Sequence, residues 1–318
     1  MINKKNKILI TSSSNKIPLI KNVKEAIRKL KIDLSIIASD IDIDSISKYF
    51  VNDFWLCDRT EEINIHDYIK KCKSKNIKFI IPTRDGELEF FSKNNNLFNK
   101  NGINVMISSL NSINNCIDKL KFYDNHQKVK KWIIETTENI NTLNCKKFVV
   151  KERYGSASKK NGINFDKINS IKHAKKLDNP IFQPYIEGFE ISADFYVDKS
   201  KIIRGLVMRT RDVVIDGESK VTKTFKNTKY EKIILKIIDE LKLYGHCMIQ
   251  CVIDINDNVN VIECNPRFGG ASSLSVFCGL DSFHWFIYES LNGNMNDLKI
   301  DLNKKVVQQV RYKNDIYL

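Results

Sequence analysis

The chain has 318 residues, a formal net charge of +14 at pH 7, and 42% hydrophobic and 28% charged residues. This composition excludes a disordered chain, and the length is enough for two or three compact layers around a core. Apolar runs stay well short of the roughly 18 residues that a membrane span needs, and the start lacks the apolar stretch of a signal peptide. We therefore expect a cytoplasmic protein without a membrane partner.

The first third of the chain alternates strand-like and helix-like segments. Apolar clusters separated by amphipathic stretches of helix length are typical of a parallel, doubly wound α/β layer. The strand-like segments between residues 7 and 107 are "KILITSS", "LSIIASD", "DFWLC", "KFIIPT" and "INVMIS", and the helical ones include Ile17–Leu30 and "IHDYIKKCKSK". The stretch after the first strand, "TSSSNKIP", has no glycine, so a dinucleotide site of the GxGxxG kind is not expected.

From about residue 108 the pattern predicts α+β structure. "SLNSINNCIDKLKFYDNHQKVKKW" indicates a helix pair, and mostly antiparallel strands with helices on one side follow it. The predicted strands are "KKFVVK", "PIFQPY", "EISADFYVD", "KIIRGLVMR", "KVTKTF", the hairpin "CMIQCVIDINDNVNVIEC" and "KKVVQQVRY". The predicted helices are "INSIKHAKKL", "KYEKIILKIIDELKL" and "DSFHWFIYESLNG".

Three polar residues at alternating positions end the predicted hairpin. Glu263, Asn265 and Arg267 share one face, since side chains at i and i+2 of a strand point the same way. A two-residue turn at Asp257-Asn258 would place Gln250 directly opposite Asn265 on that face. One carboxylate and two amide oxygens suit Mg²⁺, which keeps water and takes substrate phosphates as further ligands. A polar strand face directed at solvent is the alternative.

Two further segments have the residue types of a nucleotide site. In "FVVKERYGSAS" a strand ends at Lys151, and Gly155, Ser156 and their small neighbours offer backbone donors to phosphates. In "IFQPYIEGFEIS" a proline-fixed extended turn could lie against a planar base, with Glu190 available for ribose hydroxyls. By itself the second segment is equally consistent with an ordinary β-loop.

Taken in order, these segments resemble the ATP-grasp superfamily, and most closely ligases similar to the large subunit of carbamoyl phosphate synthetase. Residues 1–107, with "IIASDID" and "FIIPTRDGELEFFS", resemble the pre-ATP-grasp domain, a Rossmann-like layer. Residues 108–318 resemble a two-lobed ATP-grasp domain. In this resemblance residues 108–182 form the lobe that covers the nucleotide, and residues 183–318 form the catalytic antiparallel-sheet lobe.

The resemblance also implies roles for particular residues. It implies nucleotide contacts by Lys119 of "IDKLKFYD", Lys151, Gly155 and Ser156 of "VVKERYGSAS", and Gln183, Tyr185, Ile186 and Glu190 of "QPYIEGFE". It implies Mg²⁺ ligands, with Mn²⁺ as an alternative, at Gln250, Glu263 and Asn265, and Arg267 at the transferring phosphate. "MRTRDVVIDGESKVTKTF" resembles the acceptor region of amide ligases, with Arg209 and Arg211 holding acceptor carboxylates. Glu152 and Ala157 depart from the KPxxGxGS pattern at its proline and a glycine.

The expected function is an ATP-dependent ligase that joins a small carboxylic acid to an amine through an acyl phosphate and releases ADP and phosphate. Lys151 and Arg267 are the expected catalytic residues. A phosphotransferase of the same fold and a non-catalytic nucleotide- or nucleic-acid-binding protein are the alternatives. The scattered lysines and the lack of an aromatic-interleaved basic motif favour a solvated basic surface over a nucleic-acid partner. A homodimer remains an option.

Overall fold

The computed structural model describes residues 5–155, 160–215, 217–303 and 305–317. Within these ranges the strands form three sheets. A parallel sheet lies in the N-terminal part, and a small and a large antiparallel sheet follow it in the chain. This order confirms the expected α/β layer followed by an α+β region.

The N-terminal sheet has five parallel strands in the order β3-β2-β1-β4-β5. The strands are β1 Asn6–Ile10, β2 Leu34–Asp40, β3 Asp53–Leu56, β4 Ile77–Ile81 and β5 Asn104–Val105. The helices around them are α1 Ile17–Leu30, α2 Ile65–Ser74, α3 Asp85–Lys93 and α4 Asn95–Lys100. The strand order changes direction between β1 and β4, so the loops after these two strands diverge at the edge where open α/β sheets bind ligands.

The small sheet has the order β7-β6-β8 and follows a pair of short helices. The helices are α5 Leu110–Ile117 and α6 Lys119–Asn125. The strands are β6 Phe148–Glu152, β7 Gly162–Phe165 and β8 Pro180–Pro184, with α7 Lys167–Ala174 between the last two. β6 is the central strand, and Lys151 near its end pairs with Ile181 of β8.

The large sheet has the order β11-β12-β10-β9-β13-β14, and β15 pairs with β12. Its strands are β9 Gly188–Val197, β10 Ile203–Thr210, β11 Val213–Ile215, β12 Glu218–Phe225, β13 Gly245–Asp254, β14 Val259–Asn265 and β15 Gln308–Val310. Its helices are α8 Thr228–Leu241, α9 Ser272–Phe277 and α10 Ser282–Ser290. Short 3₁₀ helices lie at Ile46–Phe50, Gln127–Trp132, Ile140–Thr142 and Met295–Asp297.

The two faces of the large sheet have different coverings. Odd-numbered residues of β13, such as Ile249, pack with Ile234 and other apolar residues of α8. On the other face, α10 packs between the large sheet and the N-terminal sheet, where Phe79 and Phe286 make an edge-to-face contact with ring centroids 6.3 Å apart. This shared core fixes the loops after β1 and β4 against the polar face of the large sheet.

The predicted register of the β13–β14 hairpin is wrong. The Asp254 N–H donates to the Asn258 carbonyl (3.1 Å), which leaves a loop of three residues, Ile255–Asp257, between this last pair. The Asp254 side chain accepts the backbone N–H groups of Asn256 (2.9 Å) and Asn258 (2.8 Å). Asp257 takes the left-handed conformation (φ +63°) that this longer loop needs. A register shift then adds Ile262 to β14.

The corrected register changes which polar side chains are opposite one another. Gln250 lies opposite Glu263, and Met248 lies opposite Asn265. The three expected metal ligands therefore still share a face, but the amide of Gln250 directly faces the carboxylate of Glu263 instead of the amide of Asn265.

Candidate active site

Two adjoining cavities lie on the polar face of the large sheet. The larger, about 440 Å³, lies between the small sheet and the strands β9, β13 and β14. The smaller, about 240 Å³, lies between the loops after β1 and β4 and the large sheet. Arg211, Gln250 and Glu263 line both cavities and form the boundary between them.

The larger cavity contains most of the residues that the sequence assigned to the nucleotide. Its walls include Lys119, Lys151, Gly155, Gln183, Tyr185, Ile186 and Glu190. These residues come from three separate segments of the chain, and the fold brings them together around one space. Ser156 lies outside the described residues.

Lys151 lines this cavity, and its pKa is shifted from the ordinary lysine value. Its side chain is 5% exposed, and within the described part of the chain its ammonium has no hydrogen-bond partner. Burial lowers the pKa of Lys151 to about 8, against the opposing effect of the Glu263 carboxylate. The Lys119 ammonium also lowers this pKa, and Lys119 itself donates to the Gly155 carbonyl at 2.9 Å. An anion entering the cavity would meet an unpaired ammonium.

The hinge between the small and large sheets is shaped by backbone contacts. The Tyr185 N–H donates to the Lys147 carbonyl (2.9 Å), so this N–H is not free to contact a base. Of the Tyr185 backbone, only the carbonyl group can make the expected contact with the base. Gln183 is buried and donates to Thr136 Oγ1 (2.8 Å). A Cβ on Gly188 would lie 2.0 Å from the Ile253 carbonyl oxygen, so only glycine permits this approach of the hinge to β13.

The predicted metal ligands form a connected group. Asn265 Nδ2 donates to Glu263 Oε1 (3.2 Å), and the Gln250 amide, in the orientation that satisfies its neighbours, donates to the same oxygen (3.1 Å). Rotation of both amides would direct two neutral oxygens and one carboxylate at a common position. Among the described residues no group of three His, Cys, Asp or Glu side chains is placed to hold a metal. The set of one carboxylate and two amides fits Mg²⁺, because this ion prefers oxygen ligands and needs few protein carboxylates when phosphates and water complete its shell.

Arg267 is held by a carboxylate that the sequence did not point to. It makes a bidentate ion pair with Asp85 at the start of α3, with an Nε–Oδ1 distance of 2.6 Å. A second guanidinium nitrogen donates to Asn265 Oδ1 (3.3 Å). Arg267 is thus next to the predicted metal ligand Asn265, and its charge is paired with a carboxylate from the N-terminal part of the chain.

The expected bidentate contact of Arg209 with an acceptor is wrong. The side chain is 1% exposed and its Nε donates to Asp194 Oδ2 (2.8 Å), so most of the guanidinium is used inside the protein. Burial would raise the pKa of Asp194, but Arg209 and His246 hold it well below its usual range. Ser275 donates to the same carboxylate (2.7 Å). This buried group fixes the Arg209 side chain in position at the wall of the smaller cavity.

Arg211 is also occupied by groups of the chain. Its Nε donates to Glu190 Oε2 (2.8 Å), its Nη2 to the Gly217 carbonyl (3.2 Å), and its Nη1 to the Gln250 amide oxygen (3.2 Å). A bidentate contact with an acceptor is therefore excluded in this conformation. Arg211 instead links Glu190, which was expected at the ribose, to the predicted metal ligands.

Sequence reasoning missed the residues that the N-terminal part contributes to the smaller cavity. These are Ser12, Lys16, Thr83, Arg84 and Asp85. They follow β1 and β4, the two strands on either side of the point where strand order changes. The available signal was the polar segment "TRDG" at the carboxyl end of a predicted parallel strand.

Comparison with known proteins identifies the family. Residues 116–271 match the ATP-grasp domain family, and residues 8–106 match the N-terminal domain of PylC-like proteins. The chain therefore contains an ATP-grasp domain that follows a PylC-like N-terminal domain. No curated protein matches the chain in sequence.

Several solved structures share the fold of this chain. The ADP complex of N5-carboxyaminoimidazole synthetase from Staphylococcus aureus has a TM-score of 0.74 and 16% identity, covering 98% of this chain and 84% of that one. The biotin carboxylase domain of Hydrogenobacter thermophilus 2-oxoglutarate carboxylase, a dimer solved with MgADP, ADP and bicarbonate, has a TM-score of 0.74 and 14% identity, covering 97% and 75%. The Campylobacter jejuni biotin carboxylase has a TM-score of 0.69 and 14% identity, covering 90% and 71%. At these identities the likeness concerns the fold.

In the described ranges no helix is both long enough and apolar enough to cross a membrane.

Proposed function

We propose that this protein is an ATP-dependent carboxylate–amine ligase that forms an acyl phosphate and releases ADP and phosphate. The observation that carries the proposal is the boundary between the two cavities, where Glu263, Gln250 and Arg211 line both. A nucleotide in the larger cavity would therefore end beside a second compartment of small-molecule size. In this proposal residues 108–182 cover the nucleotide and residues 183–318 supply the catalytic sheet.

ATP would be positioned by the hinge and the two lysines. The base would lie against Tyr185 and Ile186, with its polar edge on the hinge backbone. The phosphates would lie along Lys119 and Lys151, where the unpaired Lys151 ammonium lowers the free energy of an entering anion.

The structural neighbours solved with ADP or MgADP support the choice of ATP and Mg²⁺. Glu263, Gln250 and Asn265 would hold the metal, which supplies charge neutralisation at the phosphate oxygens when bound. At this site the chain itself supplies the Glu263 carboxylate and the amides of Gln250 and Asn265, whose nitrogens donate to that carboxylate.

Phosphorylation of the carboxylic acid gives it a better leaving group. A carboxylate resists attack by an amine because the addition places more negative charge on an anion and would expel oxide. An acid oxygen attacks the γ-phosphorus, the bond to the β-phosphate oxygen breaks, and ADP leaves. The amine then attacks the acyl carbon, the C–O bond to phosphate breaks, phosphate leaves with the acid's oxygen, and the amine loses a proton. Lys151 and Arg267 would offset the charge on the phosphoryl group in the first step.

Arg267 would act by exchanging partners. It is paired with Asp85 and lies beside Asn265, so a phosphoryl group at the Glu263 end of the boundary would compete with Asp85 for the guanidinium. An interaction that forms mainly with the transferring group raises kcat more than it lowers KM.

A screen of acid and amine pairs tests the proposal. Phosphate release should require both substrates, and mass detection should find a product lighter than their sum by one water. The Glu263→Gln protein is the control, because it keeps the size of the side chain and removes the charge. A phosphorylated hydroxyl product without phosphate release would instead indicate a phosphotransferase.

A further inference from the structure

The amide-forming step of the proposed reaction needs a base, because the amine loses a proton as the amide forms. The amine would approach the acyl phosphate from the smaller cavity, so the base has to line that cavity. Among the described residues of its wall there is no histidine, cysteine or tyrosine, and arginines stay protonated. The groups left to take a proton are the carboxylates of Asp85, Glu218 and Glu263 and the amine form of Lys16.

The three carboxylates already accept hydrogen bonds from the protein. Asp85 is paired with Arg267, Glu218 accepts from Arg311 (2.8 Å), and the Glu263 carboxylate accepts from two side-chain amides. Burial would raise the pKa of Glu218, but the Arg311 guanidinium keeps it below its usual range. A carboxylate whose charge is stabilised in this way is a weak base towards an amine.

Lys16 differs from these groups because its side chain has no partner. It lines the cavity and is partly buried, and its nitrogen makes no hydrogen bond or ion pair with the described residues. Its backbone is fixed at the start of α1, where its N–H donates to the Ser13 carbonyl (2.7 Å) and its carbonyl accepts from Ile20 (3.0 Å). A lone pair on the Lys16 nitrogen would therefore be open to a substrate in the cavity.

The surroundings of Lys16 disfavour its protonated form. Burial lowers the pKa of Lys16, and the Arg267 guanidinium lowers it further. Glu218 and Asp85 raise this pKa, and Arg311 lowers it. The positive end of α1 acts in the same direction as burial, since its first turn has no acidic residue and no side chain caps it. At neutral pH Lys16 is thus a free amine more often than an exposed lysine is.

We propose that Lys16 is the general base of amide formation, an inference that rests on the proposed ligase function. The lone pair of the neutral amine attacks the acyl carbon, and the C–O bond to phosphate breaks with its electrons on the departing phosphate. The proton on the amine nitrogen passes to the unprotonated Nζ of Lys16, which returns it to water. Lys16 lies within electrostatic reach of Arg267, the expected contact of the phosphoryl group, so the base and the acyl phosphate share one end of the cavity.

Two kinds of nucleophile separate this proton transfer from activation of the acid. Hydroxylamine is neutral at pH 7, and its adduct is acidic enough to lose a proton to water. Ammonia, methylamine and the amines of the screen are more basic, so their adducts need a stronger base than water. Each nucleophile would be supplied at saturating ATP and Mg²⁺, with a carboxylic acid that gives a hydroxamate with the wild-type protein.

Lys16→Met and Lys16→Arg should both lower kcat for amide formation about 100-fold or more, the scale of a lost general base. Hydroxamate formation should fall only a few-fold, which also shows that the variants are folded. At a constant concentration of neutral amine, the wild-type kcat should rise with pH as Lys16 loses its proton and level off above its pKa, and both variants should lose this rise. Lys24→Met is the matched control, because Lys24 is an exposed lysine of α1 that does not line the cavity.

The Lys16→Arg variant decides between a base and a fixed charge. Arginine keeps the positive charge but does not give up its proton, so near-normal amide formation in Lys16→Arg would overturn the proposal. Equal losses with hydroxylamine and with the basic amines would place Lys16 in activation of the acid and also overturn it. Failure of the ligase function looks different, since the wild-type protein would then form neither hydroxamate nor amide, and the role of Lys16 would be rejected with it.

Discussion

Nucleotide affinity should fall as the pH rises above 8, because an anion binds best to the protonated form of Lys151. The ammonium is buried and unpaired among the described residues, and its pKa is lowered to about 8. Phosphates that contact it would raise this pKa towards the ordinary lysine value, so binding takes up a proton above pH 8. The nucleotide affinity therefore has its full value below the pKa of Lys151 in the free protein and decreases as the pH rises through that pKa.

The size of the effect follows from that pKa. If the complex keeps the ammonium protonated, affinity for ADP with Mg²⁺ should fall about 20-fold between pH 7.5 and 9.5, for one linked proton. The other charged groups acting on Lys151 are Glu263, Glu190 and Lys119. Calorimetry in buffers of different ionisation enthalpy measures both the affinity and the proton uptake.

Two variants test whether the pH dependence of ADP affinity comes from Lys151 or from other titrating groups. Lys151→Met should bind ADP about 10- to 100-fold more weakly at pH 7.5, the scale of a lost charge-assisted contact, and should show little pH dependence. Lys151→Arg should retain a charge over the whole range and also lose the dependence, since arginine stays protonated. A wild-type affinity that is constant up to pH 9.5, or an unchanged slope in Lys151→Met, would refute the reasoning.

Three further substitutions test other parts of the site. Glu263→Gln should lower turnover by orders of magnitude and leave the unfolding midpoint in urea within experimental error; near-normal turnover at saturating Mg²⁺ would contradict the metal assignment. Arg267→Ala should lower kcat about 10²-fold and change ATP affinity much less, so loss of ATP binding in calorimetry would reverse the roles of Arg267 and Lys151. Asp194→Asn should lower the free energy of unfolding by about 3–5 kcal/mol in urea denaturation, because it leaves Arg209 as a buried unpaired charge. The exposed control Asp239→Asn should change it by about 0.5 kcal/mol or less, and equal effects would contradict the structural role of the Asp194 group.

Local patterns predicted the elements, and the resemblance to ATP-grasp proteins predicted many of the residues around the larger cavity. Alternation within a strand placed Glu263, Asn265 and Arg267 on one face, and the structure brings Lys151 to the cavity that Glu263 also lines. These features depend on spacing within short segments, which the sequence states directly.

The register of the β13–β14 hairpin depends on the turn contacts of Asp254 and on the bulge at Ile262. The Asp254 side chain closes a three-residue loop and Ile262 forms a bulge, and both choices are small differences in free energy between turns of similar composition. The strand alternation alone does not distinguish them. The cross-strand partner of Gln250 is Glu263 instead of the predicted Asn265, but Gln250 still lies on the polar face.

Contacts between distant parts of the chain were beyond sequence reasoning. Asp85 precedes Arg267 by 182 residues, and their ion pair exists because α10 packs the N-terminal sheet against the large sheet. Likewise, Arg209 looked like an acceptor ligand because nothing in its own segment indicates a buried partner such as Asp194. Such pairings depend on how the layers pack, which a single sequence does not state.

Trapping of the activated acid tests the central claim most directly. The protein would be incubated with ATP, Mg²⁺, hydroxylamine and a panel of carboxylic acids, without any amine, and the nucleotide products and hydroxamates would be measured by mass spectrometry. The account predicts a hydroxamate of at least one acid, formed in equal amount with ADP and phosphate, and its loss in Glu263→Gln. Accumulation of AMP and pyrophosphate with the hydroxamate would show that the acid is adenylated and would contradict the acyl-phosphate mechanism.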